Sequence, residues 1–368
     1  MKKVLFLIHD LGNGGAEKVL VNLVNNMDRS KFDITVISLF GGGVNEQFLK
    51  PHIRYIKIFK RELPANSKIM KLLSSKTLHK FCIKDNYDIE VSYLEGPSAR
   101  IISGCQNSIT KLVSWIHVQQ ESKAVAAAAF RNYSEAKSCY EKFDNTVCVS
   151  EYVKRNFIEN FDFKNRVEVL CNTNETDKII ELSNETVDDY DFAEKTIVAI
   201  GTLKKSKGFD KLIRIHKRLI YDGIKHKVLV LGVGPEEENL KKLIQENNAS
   251  GTFKLLGYRK NPYKYLKNSD LFVCSSSAEG FSTAATESLI VGTPVCTFDV
   301  SGMKEMLGEN DEYGIVTENN EDALYEGIKK MLTTPNMLEN YAEKALERGK
   351  KFSTEKTVKA VEDMFLNL

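Results

Sequence analysis

Two glutamates flank the predicted start of a helix near residue 280. Ser282 is a residue type that N-caps helices, and Gly292 and Pro294 would end the helix. Glu279 precedes this helix, and Glu287 lies about five residues inside it, roughly 7 Å along the axis. Unpaired N–H groups at a helix start bind phosphate, and carboxylates accept hydrogen bonds from sugar hydroxyls, so the pattern fits a nucleotide-sugar. The diphosphate would bind the N–H groups of Phe281, Ser282 and Thr283.

Both glutamates also have an ordinary interpretation, which the spacing leaves open. Glu279 fits a simple surface turn, and Glu287 fits an exposed position on a helix. The neighbours of Glu287 on its helix face, Ala284 and Ile290, are apolar. A carboxylate on such a face is costly unless it has a partner, which favours a binding role for Glu287.

Two further segments combine glycine with the start of a helix. Lys204, Lys205 and Lys207 follow a predicted strand and precede a helix that begins at Gly208. Ligands bind at this edge of open α/β sheets, and lysine suits phosphate, although a solvated charged loop is the alternative. The segment 12–17 also follows a strand, but Glu17 occupies the third glycine position of a dinucleotide fingerprint, which weakens an NAD interpretation.

Strands and helices alternate along the whole chain in two series, which predicts the α/β class with two doubly wound parallel sheets. We expect a first domain at 1–172, a polar, acidic linker at 173–195 and a second domain at 196–351. A surface helix beside an acidic loop inside one domain is the alternative for the linker.

The composition is that of a globular protein that does not bind nucleic acid. Of 368 residues, 42% are hydrophobic and 28% charged, and 52 basic residues nearly balance 50 acidic ones. The seven cysteines are scattered without zinc-like spacing, so we expect no metal site and a reducing compartment. The apolar run at 4–8 is too short for a signal peptide and predicts a buried strand in a cytoplasmic protein.

The motifs together resemble one enzyme family over nearly the whole chain. The sequence resembles the retaining GT-B glycosyltransferases of family 4, a group that includes bacterial capsule, exopolysaccharide and lipopolysaccharide enzymes. The resemblance implies two Rossmann-like domains that face each other across a cleft, and a closing helix at 352–368 that packs back on the first domain. The segments that carry it are Glu279-x7-Glu287, Gly14–Glu17, Lys207-Gly208, Gly232–Pro235, Gly257-Tyr258 and Gly302–Glu305.

The resemblance also assigns roles to residues of this chain. Glu279 should contact hydroxyls of the transferred sugar, Glu287 the ribose, and Lys207 the diphosphate. Gly15 should donate its N–H to a phosphate. His117, after a predicted strand, matches the family's active-site histidine near the reacting sugar, although a core histidine is the alternative from the residue alone.

The sequence departs from the family at one position. Family members usually carry an arginine where this chain has Thr202, so Lys204 or Lys205 would have to supply the second phosphate cation.

The predicted activity is transfer of a sugar, with UDP-sugar as the favoured donor, to a lipid-linked saccharide in cell-surface polysaccharide synthesis. The resemblance implies retention by front-face displacement. No DxD-like acidic pair follows a predicted strand, and Lys207 with the helix start can do the electrostatic work of a metal, so we expect no metal or cofactor. A GT-B sugar-nucleotide epimerase and a non-catalytic sugar- or membrane-binding relative are the alternatives.

A basic segment at 57–84 interleaves lysines with apolar residues at helical spacing. Such a segment can lie on an anionic membrane, which predicts a peripheral protein at the inner face of the plasma membrane. A solvated face of a helix that packs on the first domain is the alternative.

Overall fold

The chain forms two compact units, and it passes between them twice. The computed structural model describes residues 1–12, 14–61, 70–120, 122–277, 280–300 and 302–368. The first unit contains Met1–Asn174 together with Thr354–Leu368, and the second contains Glu175–Ser353.

The first unit is built on a parallel sheet of seven described strands in the order β3-β2-β1-β4-β5-β6-β7. Residues 4–8 of β1 are completely buried because helices cover both faces of such a sheet, which explains the unbroken apolar run. The strand order reverses between β1 and β4, and ligands of doubly wound folds bind at this switch point. The strands are β1 Lys2–Ile8, β2 Phe32–Phe40, β3 Arg54–Phe59, β4 Ile89–Ser92, β5 Lys111–Ile116, β6 Asn145–Cys148 and β7 Val167–Val169.

The second unit repeats this design with six described parallel strands in the order β10-β9-β8-β11-β12-β13. Its order reverses between β8 and β11. The predicted fold class, two doubly wound Rossmann-like sheets, is therefore confirmed. The strands are β8 Thr196–Ile200, β9 Lys227–Leu231, β10 Phe253–Gly257, β11 Leu271–Cys274, β12 Val295–Phe298 and β13 Ile315–Thr317.

Helices connect the strands in both units. In the described part of the chain, none combines the length and apolar composition needed to cross a bilayer. The helices are α1 Gly15–Asn26, α2 Ser75–Cys82, α3 Pro97–Ile102, α4 Lys123–Ala126, α5 Tyr133–Tyr140, α6 Glu151–Phe161, α7 Thr176–Ser183, α8 Phe209–Tyr221, α9 Glu237–Glu246, α10 Tyr263–Asn268, α11 Thr283–Val291, α12 Met303–Leu307, α13 Glu321–Thr333, α14 Met337–Gly349 and α15 Thr354–Leu366.

The last helix, α15, belongs to the first unit. The ring of Phe365 is fully buried, and its centroid lies 5.9 Å from that of Phe6 and 6.1 Å from that of Phe32. The hydroxyl of Thr354 donates a hydrogen bond of 2.7 Å to the carbonyl of Asn174, so the two crossing points of the chain are joined.

The segment 173–195, which we predicted to be a linker, is largely part of the second unit. Its residues 176–183 form α7, in which Ile179 is buried. The side chain of Asn261 donates to the carbonyl of Leu182 at 2.8 Å. The second unit therefore begins at Glu175 rather than at 196, because α7 has an apolar face that its acidic neighbours obscure in the sequence.

Candidate active site

In the second unit, the two loops at the switch point are bonded to each other. One follows β8 and contains the lysines, and the other follows β11. The hydroxyl of Ser275 donates to the carbonyl of Lys207 at 2.8 Å, and the N–H of Ser277 donates to the carbonyl of Ser206 at 2.9 Å. The predicted phosphate-binding lysine and the loop that leads to α11 therefore lie at the same edge of the sheet.

Gly208 makes this close approach possible. Its φ is +63°, a left-handed conformation that favours glycine, and a Cβ there would lie 2.2 Å from the carbonyl oxygen of Ser275. Lys207, just before it, is half-buried, and a Cβ on Gly201 would lie 3.5 Å from the Cδ of this lysine. The stem of Lys207 therefore lies along the backbone at the end of β8.

Ser282 caps α11, as its residue type predicts. Its Oγ accepts a hydrogen bond of 3.3 Å from the N–H of Ala285. Thr283 is the first helical residue and is half-buried, whereas Phe281 is buried and packs edge-on against Phe352 with centroids 5.8 Å apart. Glu279 lies outside the described residues.

Glu287 is a buried carboxylate in the second turn of α11. Only 3% of its surface is exposed, which excludes the interpretation as an exposed helix residue. The hydroxyl of Tyr263, on α10, lies 3.5 Å from its Oε1. A buried carboxylate needs polar partners, so this side chain is held in place for a ligand or for the fold.

In the first unit, the glycine loop after β1 is fixed from both sides. Asn45 donates its side-chain N–H to the carbonyl of Gly12, and its backbone N–H to the carbonyl of Leu11 at 2.9 Å. Asp10 accepts the N–H of Gly12 at 2.6 Å. The hydrogen bond from His9, 2.7 Å long, lowers the pKa of Asp10 and keeps this acceptor charged.

Gly15 is exposed and begins α1, directly after this loop. The first N–H groups of a helix have no partners within the helix. Gly14, in the N-cap position, has no side chain that could cap them. The position of Gly15 is therefore suited to the predicted contact with a phosphate.

His117 follows β5 and is buried, with 6% of its surface exposed. Its backbone N–H donates to Oε2 of Glu95 at 3.1 Å, and burial raises the pKa of that carboxyl. Burial also lowers the pKa of His117 to about 3, despite a hydrogen bond between the ring and the backbone of Tyr93. Among the described residues Nε2 has no partner, so Nδ1 makes that bond and Nε2 of the neutral ring is an acceptor.

An aromatic cluster surrounds this histidine. The ring of Tyr93 lies 4.9 Å from that of His117 and 5.0 Å from that of Trp115 between centroids. Within the described part of the chain, the hydroxyl of Tyr93 and the indole N–H of Trp115 are also buried without a partner. Three polar atoms at this edge therefore have no hydrogen-bond partner among the residues that the structure describes, which is unusual in a folded protein.

Family models match both units. The model described as Glycosyltransferase Family 4 matches residues 13–178, and the model described as Glycosyl transferases group 1 matches residues 188–348. The chain belongs to glycosyltransferase family 4. The predicted recognition of this family and of the GT-B fold is confirmed.

Relatives of this glycosyltransferase extend over its full length. It is 29% identical over 367 residues, 96% of both chains, to the N-acetylgalactosamine-N,N'-diacetylbacillosaminyl-diphospho-undecaprenol 4-alpha-N-acetylgalactosaminyltransferase of Campylobacter jejuni. It is similar to HepE of Anabaena in complex with UDP, with a TM-score of 0.77, 17% identity and 100% of both chains covered. Sucrose-phosphate synthase of Thermosynechococcus elongatus gives a TM-score of 0.79 at 15% identity, with 100% of this chain and 99% of that chain covered.

The described site residues of the glycosyltransferase fall into two groups. Gly15 and His117 follow β1 and β5 in the first unit, whereas Lys207, residues 281–283 and Glu287 follow β8 and β11 in the second. Sequence reasoning missed the residues that hold these groups: Asn45, Glu95, Tyr93 and Tyr263. Only Glu95 gave a signal, because it is an acidic residue directly after a buried strand.

Proposed function

We propose that this glycosyltransferase moves a sugar from a nucleotide diphosphate donor, with UDP-sugar favoured, to a lipid-linked saccharide in cell-surface polysaccharide synthesis. The observation that carries the donor assignment is the edge of the second unit. There the Lys207 loop is hydrogen-bonded to the loop that follows β11 at a switch point, and Ser282 caps the start of α11 further along the chain. A cation and a helix start on one edge are suited to a diphosphate.

The reaction makes the leaving diphosphate more negative while the anomeric C–O bond breaks. Lys207 and the N–H groups of α11 would stabilise this charge without a metal or cofactor. Glu287, held near Tyr263, would accept hydroxyls of the ribose, and Glu279 those of the transferred sugar. Retention would follow from front-face displacement, in which the acceptor oxygen bonds to the anomeric carbon and its proton passes to the leaving phosphate oxygen.

His117 would act as a neutral hydrogen-bond acceptor in this reaction. Its pKa of about 3 keeps the ring uncharged at physiological pH, and its Nε2 is positioned without a partner among the described residues. Such an atom can accept a hydrogen bond from a sugar hydroxyl, but as an uncharged acceptor it cannot stabilise the negative charge of the diphosphate. We therefore assign stabilisation of the leaving diphosphate to Lys207 and orientation of a sugar hydroxyl to His117.

The acceptor and the base are proposed from relatives. The Campylobacter relative acts, by its name, on a saccharide linked to diphospho-undecaprenol, and it matches 96% of this chain. HepE was solved in complex with UDP. A lipid-linked acceptor and a uridine donor are the simplest extension of these similarities to this chain.

A surface of the first unit would bring the enzyme to its lipid-linked acceptor. We call it the basic apolar surface, and it combines exposed apolar side chains with lysines near α2. Leu72 is 80% exposed, Leu73 42% and Phe81 52%. Residues 62–69 of the predicted basic segment lie outside the described residues, and residues 57–59 belong to β3 rather than to a helix. Its members are Lys71, Leu72, Leu73, Lys76, Lys80, Phe81 and Lys84.

Two arginines hold the exposed leucines in position. The guanidinium of buried Arg100 donates to the carbonyls of Met70 and Leu73, each at 2.7 Å. Arg131 donates to the carbonyl of Lys71 at 2.8 Å and to the next carbonyl at 3.1 Å. Exposed apolar side chains on such a firmly held backbone fit insertion into an anionic leaflet, so we propose a cytoplasmic protein peripheral to the inner face of the plasma membrane.

The donor assignment is tested by a thermal-shift screen of nucleoside diphosphates and UDP-sugars. We expect UDP-sugars to raise the melting temperature of the full chain, since a ligand that binds the folded state stabilises it. UDP release that depends on a lipid-linked saccharide acceptor would then identify transfer. Conversion of the UDP-sugar to its epimer without an acceptor would favour the epimerase, and binding without either reaction would favour the non-catalytic relative.

Liposome flotation tests the membrane assignment. Replacement of Lys76, Lys80 and Lys84 by glutamate should abolish binding to anionic vesicles, since each cation near the surface contributes about 1 kcal/mol. Equal flotation of this variant and the wild type would contradict the assignment. The matched control replaces three exposed lysines elsewhere by glutamate: Lys164, Lys225 and Lys242.

A further inference from the structure

Three side chains with metal-ligating atoms converge on one spot of the first unit, away from the candidate active site. His79 lies on α2, Glu90 in β4, and Cys105 in the turn after α3. One ligand atom from each lies within 4.8 Å of the other two. Nε2 of His79 is 2.7 Å from one carboxylate oxygen of Glu90, and Sγ of Cys105 is 3.9 Å from the other.

The cluster is protected but accessible. Glu90 is 2% exposed and belongs to a central strand, whereas the side chain of His79 is 15% exposed and Cys105 is partly exposed. A carboxylate in such a place needs partners that balance its charge. Here the two partners that reach it are the residue types that bind zinc-like ions through nitrogen and sulfur.

A close contact of two backbone segments creates this convergence. A Cβ on Gly104 would lie 2.0 Å from the carbonyl oxygen of Ser75, so only glycine allows the turn to lie against the first residue of α2. Ser75 is about one helical turn before His79. The contact therefore brings Cys105 next to His79 and over the carboxylate of Glu90.

We propose that His79, Glu90 and Cys105 bind a divalent transition-metal ion of the zinc class, with water as the fourth ligand. Nitrogen, oxygen and thiolate ligands in tetrahedral arrangement are typical of zinc. On binding, the thiol of Cys105 releases its proton to solvent, and the neutral ring of His79 carries its proton on Nδ1, so that the thiolate sulfur and Nε2 each donate a lone pair to the metal. A small movement of the turn at 104–107 would bring the sulfur of Cys105 within bonding distance of the metal.

The ion would fasten α2 to the sheet. Because α2 carries much of the basic apolar surface, the metal would stabilise the membrane-facing part of the first unit and take no part in sugar transfer. The site is independent of the proposed donor chemistry. Sequence spacing gave no sign of it, since the three donors come from separate elements at positions 79, 90 and 105.

Cobalt(II) titration of the chelator-treated full chain tests this site. We expect one equivalent to give visible ligand-field bands of tetrahedral cobalt and a near-ultraviolet thiolate-to-cobalt band, both removed by zinc. Cys105→Ser should lose the thiolate band, and His79→Gln, which can still hydrogen-bond to Glu90, should weaken binding at least about tenfold, since it removes one of three protein ligands. Cys171→Ser is the matched control for another partly exposed cysteine and should keep both bands.

Absence of the bands in the wild type, or an unchanged thiolate band in Cys105→Ser, would overturn the proposal. A second measurement needs no variant and so does not depend on their folding. Zinc should slow alkylation of Cys105 by iodoacetamide at least about tenfold in the wild type, measured by peptide mass, while Cys171 reacts at an unchanged rate, since only a metal-bound thiolate is protected. Equal alkylation of Cys105 with and without zinc would contradict metal binding.

Discussion

The switch-point edges of the two units share one topology but differ in their polar chemistry. In the second unit the polar groups are charged and connected: the Lys207 loop is bonded to the loop after β11, and Glu287 lies near Tyr263. In the first unit, Tyr93 and His117 present uncharged atoms that have no partners among the described residues. The same fold thus presents charged groups beside Lys207 at one edge and uncharged polar atoms beside His117 at the other.

Replacement of Lys207 should cause the largest loss of activity and tests the role of the charged groups in the second unit. We expect Lys207→Met to lower kcat about 10²–10³-fold, the usual cost of one preorganised group that stabilises transition-state charge. Lys217→Met, at an exposed position in α8, should change kcat less than about threefold, because an exposed charge acts weakly through water. Steady-state transfer kinetics with a UDP-sugar measure both variants, and equal losses would remove Lys207 from its assigned role.

Replacement of one glycine in each unit should destabilise the two switch-point edges separately. Gly208→Ala in the second unit and Gly43→Ala in the first would place a Cβ 2.2 Å and 2.0 Å from carbonyl oxygens, those of Ser275 and Leu11. We expect each to destabilise its own unit by about 1–3 kcal/mol, as overpacking does. Urea unfolding measures the loss, with fluorescence of the single tryptophan, Trp115, as a probe of the first unit.

The control for both glycine variants is Gly251→Ala, since no atom lies within 4 Å of a Cβ at that position. Its midpoint of unfolding should match that of the wild type within error. A midpoint for Gly43→Ala as high as that of the control would show that the loop can move away from the added methyl group.

Acid should destabilise the second unit more steeply than the first. His216 and His226 are buried and hydrogen-bonded to each other at 2.9 Å, and burial lowers the pKa of both, for His216 to about 3. The pKa of each histidine is therefore lower in the folded chain than in the unfolded chain, where it is near 6.5. The stability that the neutral rings contribute is fully present above pH 6.5 and is lost as the pH falls below that value. Each such histidine contributes about 1.4 kcal/mol per pH unit, and His117 does the same in the first unit.

The measurement is urea unfolding between pH 7.5 and 5.5, followed by Trp115 fluorescence for the first unit and circular dichroism for both. We expect the second unit to lose about twice as much unfolding free energy per pH unit as the first. The second unit has two buried histidines with lowered pKa, His216 and His226, and the first has His117. His226→Asn should bring the two slopes together. Parallel slopes in the wild type would contradict the assignment of these protonation states.

The sequence predicted the arrangement of the sheets well because each strand of a parallel sheet is an apolar run with its own local signal. The sequence also predicted the helix start at Ser282, because an N-cap depends only on residues close together in the chain. It missed α7 because an acidic loop hides the apolar face around Ile179. Between β5 and β6 the chain forms two helices, α4 and α5, and Asn132 caps the second by accepting the N–H of Glu135 at 2.9 Å.

The candidate site was predicted less completely, for a different reason. Lys207 and Glu287 lie in motifs that are continuous in the sequence, whereas Tyr263 comes from a helix that lies on another part of the chain. Asn45, similarly, contacts the glycine loop from a distant turn. Contacts of this kind depend on packing in three dimensions, so spacing along the chain carries no sign of them.

The smallest effects come from removing one hydroxyl at each edge, and they give the sharpest comparison. Tyr263→Phe removes a polar neighbour of the buried Glu287, so we expect a loss of about 1–2 kcal/mol in unfolding free energy. Tyr93→Phe removes a hydroxyl without a partner among the described residues, so stability should stay unchanged or rise by up to about 1 kcal/mol. A loss in Tyr93→Phe equal to that in Tyr263→Phe would mean that the hydroxyl is bonded in solution. If instead stability holds while KM for the acceptor rises, the unpartnered atom is kept for a ligand, as the contrast between the edges requires.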